Sequence, residues 1–123
     1  MSNQTHGANA LEAFHAQQRE FEAALPKVRA DGEAALRRLL PVAQGDTGQS
    51  GVVARFLLGL YNGRRFAFDL TDLRRLDAGL LDDCLAVLKM DATPLKEVHE
   101  YFPDGGRIFE ALAAVWGPAP VKS

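Results

Sequence analysis

The sequence predicts a small all-α protein, built as a core of four or five short helices with an N-terminal helical arm. Three observations carry that prediction. Apolar residues recur at spacings of three and four along most of the chain, as a helix with one buried face requires. Glycines, prolines and capping residues stand where those runs stop. Period-two alternation is confined to the neighbourhood of Phe66 and Phe68, which permits a short extended segment but no sheet.

Residues 1–7 are polar and without periodicity, so a disordered lead-in is expected there. From Leu11 the pattern turns helical. Leu11, Phe14, Phe21, Leu25 and Val28 fall on a three-four spacing, with Gln18 in the one polar slot, and this seam opens an arm placed at residues 8–43. Pro26 removes a backbone donor and clashes with the preceding turn, which predicts two helices, or one kinked helix, meeting near Leu25. Pro41 marks the end of the second piece. The stretch 44–51, QGDTGQSG, reads as a linker because it offers nothing to bury. A core domain at 52–117 follows, and then a tail at 118–123.

Within the core domain, Val53, Phe56, Leu57, Leu60 and Tyr61 form one helical face ending at Asn62-Gly63, where a left-handed glycine is expected to close the helix. Phe66 and Phe68 are expected to plug the core. Thr71 or Asp72 is expected to cap a short turn through Leu76, and Asp77 a longer helix through Leu80, Leu81, Cys84, Leu85 and Leu88. Thr93-Pro94 reads as a cap followed by proline at the first helical position, opening a helix with Leu95, Val98 and Phe102 on one side. After the turn at Pro103–Gly106, a last helix from about Arg107 to Trp116 is stopped by Gly117-Pro118.

With 123 residues the chain has room for one domain, since domains typically run to about 100–150 residues. Its hydrophobic fraction of 47% and charged fraction of 24% argue against wholesale disorder and against a disulfide scaffold. Cys84 is the one cysteine and lies in an apolar helical pattern, so it reads as a buried small hydrophobe. Apolar runs are far shorter than the roughly 20 residues a membrane-spanning helix needs, and the first residues lack the pattern of an export signal. A cytoplasmic protein with no membrane partner is expected.

The stretches RFLLGLYNG, FAFDLTDLRRLD, DDCLAVLKMD, EVHEYF and FEALAAVWG, spread over residues 51–117, resemble an uncharacterised family of small proteobacterial proteins often carried on plasmids and integrative conjugative elements. The resemblance implies bacterial origin and a mobile-element context. It brings no catalytic or binding residues with it.

Two surfaces are candidates for binding. Arg55, Arg64, Arg65, Arg74 and Arg75, interleaved with Tyr61, Phe66 and Phe68, make a local excess of positive charge of the kind that holds phosphates and stacks bases. The alternative is that these arginines pair with Asp69, Asp72, Asp77 or the acidic helix beyond, as surface charges commonly do. The second candidate is the seam of Leu11, Phe14, Gln18, Phe21, Leu25 and Val28. It either docks on the protein's own core or mediates self-association, with Gln18 setting the register.

The carboxylates Asp77, Asp82, Asp83, Asp91, Glu97 and Glu100 are spread over two expected helices and lack a calcium-loop spacing. His6, His15 and His99 stand apart from one another and from Cys84, so no zinc set is expected. No nucleophile elbow, phosphate loop or dinucleotide fingerprint occurs. We therefore expect no catalytic residue, metal or cofactor. The leading expectation is a non-enzymatic accessory or adaptor protein that acts through an unidentified protein partner or as a homo-oligomer through the N-terminal arm. A nucleic-acid-associated regulator is the alternative, and an unrecognised enzyme is third.

Overall fold

The computed structural model describes residues 2–118, with side chains from Asn9 onward. All of the regular structure in that range is helical. Four α-helices, α1 (Ser2–Ala43), α2 (Gly48–Tyr61), α3 (Ala78–Asp91) and α4 (Gly105–Trp116), are joined through 3-10 helices at Leu70–Arg75 and Val98–Tyr101.

α1 differs most from expectation. One helix passes through Pro26 and Pro41, which sets aside the first of the two alternatives at Pro26, two helices or one kinked helix meeting near Leu25. Pro26 and Glu22 are both exposed, so the carbonyl left without a donor by the proline ring is open to water and the break costs little there. The backbone is already helical at Ser2, which merges the expected lead-in with α1; Met1 lies outside the described residues.

The C-terminal half of α1 belongs to the core rather than to a separate arm. Ala35, Leu36, Leu39 and Ala43 are fully buried against α2 and α3. α3 runs antiparallel to α1. Arg38 pairs with Asp83 near the start of α3, Gly32 meets Met90, and the Arg29 guanidinium donates to the Thr93 carbonyl oxygen just past its end. A Cβ at Gly32 would collide with Met90 Cβ and lie 3.0 Å from the Ala86 carbonyl oxygen, so glycine sets how closely the two helices approach.

The expected linker at 44–51 shrinks to a few residues, because α2 starts at Gly48. The Thr47 hydroxyl accepts from the Ser50 amide at 3.1 Å, and the Ser50 hydroxyl accepts from the Thr47 amide at 3.2 Å, a closed capping box. Ser50 and Gly51 are buried, and a side chain at Gly51 would meet the Trp116 ring at 2.8 Å. Small polar residues chosen for capping and close packing thus imitate the composition of a linker.

α2 is the central helix, with Val52, Val53, Leu57 and Leu58 fully buried. It ends at Asn62 in an extended conformation, not at a left-handed Gly63. The Asn62 side-chain oxygen instead accepts from the amides of Arg64 and Arg65. Phe66 is buried and Phe68 packs edge-on to Phe56 at 5.7 Å, without a strand.

The cap of the first 3-10 helix is Asp69, whose carboxylate accepts from the Thr71 amide at 2.9 Å, and neither Thr71 nor Asp72 takes that role. Asp77 caps α3 as expected, accepting from the Leu80 amide. Thr93-Pro94 opens no α-helix. The segment makes only the 3-10 helix at Val98–Tyr101, where the Glu97 amide is held by the Glu100 carboxylate, and Leu95 stays 70% exposed. Asp104 then takes a left-handed turn with φ of 57°, and Gly105 follows where any side chain would collide with the His99 carbonyl. α4 closes the core through Phe109 and Leu112 and ends before Gly117-Pro118. Cys84 is buried, and desolvation pushes its thiol up to about 12.

Candidate interaction surfaces

The seam of α1 divides where α3 ends. Written as heptads, Leu11, Gln18 and Leu25 occupy a positions and Phe14, Phe21 and Val28 d positions, and the same series continues through Gly32, Ala35 and Leu39. The seam is therefore one face of one helix. From Gly32 onward α3 covers it. Before Val28 no other element of the described residues lies on it, and Leu11, Phe14 and Phe21 are 56%, 54% and 52% exposed. The span from Leu11 to Val28 is about 26 Å at 1.5 Å per residue.

At the junction between the covered and uncovered parts lies an open groove of about 640 Å³ between α1 and α3. Its apolar lining is Val28, Leu85, Ala86, Leu88 and Ala92, with Asp31, Asp82 and Lys89 at its edges. Leu85 and Leu88 are each about two-fifths exposed, at 43% and 41%. The sequence places both in the apolar run of α3 without separating them from its buried positions. Leu81, Leu85, Leu88 and Ala92, spaced four-three-four, form a second stripe beside the buried Cys84 and Val87, and that offset is the signal that separates them.

The five arginines do not form one patch. Arg75 lies beside Gly48 at the start of α2, and Arg64 and Arg65 follow its end, about 21 Å away for a helix of fourteen residues. Arg65 is engaged by a residue that sequence reasoning did not connect to it. Glu110 on α4 receives both of its guanidinium ends, at 2.6 and 3.0 Å, and also the Tyr61 hydroxyl at 2.6 Å. These donors hold the Glu110 carboxylate down at about 2, Arg65 contributing most and Tyr61 next. The same guanidinium sits 4.6 Å from the Phe66 ring. Arg75 approaches Asp72 only loosely, at 3.9 Å, and the Asp69 carboxylate is held down first by the Thr71 hydroxyl and amide, with a smaller contribution from Arg74.

Arg55 and Arg65 do meet, across a cleft of about 340 Å³ also lined by Phe66 and Trp116. The Arg55 guanidinium is 6.0 Å from the Trp116 ring, which is fixed from behind by its indole N–H donating to the Ala43 carbonyl oxygen at 3.2 Å. Three of the six acidic residues are occupied too. Asp83 takes a bidentate contact from Arg38, while Asp77 and Glu100 serve as caps. His99 stands edge-on to Tyr61 at 5.1 Å, and His15 lies beside Phe14 on the exposed arm. The side chain of His6 is outside the described residues.

No helix among the described residues is long and apolar enough to cross a membrane. No curated protein and no solved structure matches the chain. A family of unknown function, DUF7673, matches residues 33–117, a span that begins in α1 where α3 covers it and leaves the exposed seam outside. With more than half of its length in that match, the chain belongs to the family of unknown function DUF7673.

Proposed function

We propose that the protein is a non-enzymatic accessory protein that acts by helix-to-helix contact, presenting the exposed seam of α1 to a partner. The observation that carries this reading is the row Leu11, Phe14 and Phe21, three large apolar side chains each more than half exposed on a helix whose next turns bury the same face. An uncovered apolar face of this extent marks a contact surface. A nucleic-acid role draws less support, because Arg75 and the Arg64–Arg65 pair lie at opposite ends of α2 and Arg65 is tied to Glu110. Action in the bacterial cytoplasm, in a mobile-element context, rests on the resemblance noted for residues 51–117 and on the lone buried thiol of Cys84.

The test is a paired affinity capture under nuclease, with the native chain and a Phe14→Glu/Phe21→Glu variant as baits. A protein retained by the native chain and lost by the variant is the expected result. Identical captures with both baits refute the reading, and partners that vanish on nuclease treatment transfer support to the arginines.

A further inference from the structure

We infer that the seam is covered by a second copy of this chain, its α1 lying antiparallel to the first along residues 11–28. This rests on the reading of the seam as a contact surface and names its occupant. The first argument is steric. α3 packs on the very face of α1 that the seam continues, so each globular domain sits on the seam side of its own helix. Two parallel arms facing one another would drive both domains into the same space at the same end. Antiparallel arms place the domains at opposite ends, with residues 11–28 of each lying along its partner where α3 leaves off and helical residues 2–10 bending aside from the partner's α3.

The second argument is that the seam is complementary to its own reverse. Turning the segment about its midpoint, between residues 19 and 20, sets Leu11 against Val28 of the second copy, Phe14 against Leu25, and Gln18 against Phe21. Every layer then holds at least one large apolar side chain. The flanking positions bring His15 beside Glu22 of the second copy twice, once on each side of the axis, and no like charges face each other. Residues 9–28 hold three acidic and two basic side chains, so approach of two arms meets almost no net repulsion. A parallel pairing would stack Gln18 on Gln18.

The third argument is continuity with the groove. In the antiparallel register, Leu11 of the second copy arrives beside Val28, at the mouth of the groove lined by Leu85 and Leu88. The second arm thus extends the helix-on-helix packing that α3 begins, and the exposed leucines of α3 gain a neighbour.

The experiment is sedimentation equilibrium on the full chain from about 1 µM to about 1 mM, combined with thiol cross-linking. Three variants are compared: Phe14→Glu/Phe21→Glu, Leu11→Cys, and Leu11→Cys/Val28→Cys. The native Cys84 does not interfere, being buried with its thiol pushed up to about 12. We expect a monomer–dimer equilibrium whose Kd rises at least about 100-fold in the double glutamate variant, as two phenylalanines per chain lose their cover. The double cysteine variant should give a cross-link between positions 11 and 28 of different chains, and Leu11→Cys alone should give none, since its two copies would lie about 26 Å apart.

Cross-linking of Leu11→Cys to itself overturns the antiparallel arrangement. A monomer at every concentration overturns the second copy as occupant, while the contact reading stays open to the capture experiment. A dimer that the glutamates leave intact overturns the seam as a contact surface altogether.

Discussion

Replacing Gly32 by alanine tests the placement of α3 on α1, on which the position of the exposed seam depends. In an open helix the change would stabilise, by about 1 kcal/mol, because glycine is a poor helix former. Here the new methyl would collide with Met90 Cβ, reach 2.8 Å from Met90 Sδ and stand 3.0 Å from the Ala86 carbonyl oxygen. The sulfur can swing away, but Met90 Cβ and the carbonyl are fixed to the α3 backbone, so relief requires the two helices to separate. Overpacking of a close helix contact costs about 1–3 kcal/mol, and the rigid neighbours place this site at the upper end. The net expectation is a destabilisation of about 2 kcal/mol, read from urea unfolding followed by far-UV circular dichroism. Gly106→Ala is the control. Nothing lies within 4 Å of a side chain there, and its φ is not positive, so that variant should match or exceed the native stability by about 0.4–1 kcal/mol. If Gly32→Ala is as stable as the native chain or more so, α3 does not pack on the seam face, and the steric case for antiparallel arms falls with it.

Other expectations follow from the same contacts. Phe109→Ala empties the centre of the core, where the ring is fully buried between Tyr61 and Phe102, and should cost about 3–5 kcal/mol in the same unfolding assay. Thr47→Ala removes the cap of α2 and should cost about 1 kcal/mol, while a null result would show that the capping box is dispensable. Glu110 has its folded-state carboxylate near 2, below its ordinary 4.5, so its contribution is complete above the ordinary value and is lost as pH falls from there towards 2. Glu110→Gln should therefore lose less stability than the native chain between pH 6 and pH 3, measured as the shift in urea midpoint. Equal shifts in the two proteins would mean that Arg65 and Tyr61 do not hold this carboxylate in solution. Phe14→Glu/Phe21→Glu should leave the unfolding free energy of the monomer within about 0.5 kcal/mol of native, because both rings are exposed before association.

The helical class, the apolar face of α2, the extent of α4, the cap at Asp77 and the burial of Cys84 were all legible as spacing and capping chemistry, which are local properties of the chain. The seam was legible as a pattern, but its division was not. Which part of it is covered depends on where α3 ends in space, and the start of α3 lies more than thirty residues beyond the end of α1. Whether Pro26 divides the helix was not legible, because its cost depends on whether the freed carbonyl reaches water. The Thr47–Gly51 segment misled because a capping box that buries Ser50 and a glycine under a tryptophan have the composition of a flexible link. The arginines looked like one patch because they are close in sequence, while the length of α2 sets them apart and Glu110, forty-five residues from Arg65, claims one of them.

Hydrogen exchange across α1, followed at a series of protein concentrations, bears most directly on the claim that residues 11–28 contact another helix and not their own core. Residues 35–43 should exchange slowly at every concentration, and protection of residues 11–28 should appear as concentration rises and be absent from Phe14→Glu/Phe21→Glu. Protection of 11–28 that equals that of 35–43 in dilute monomer, or that never appears, would contradict that claim.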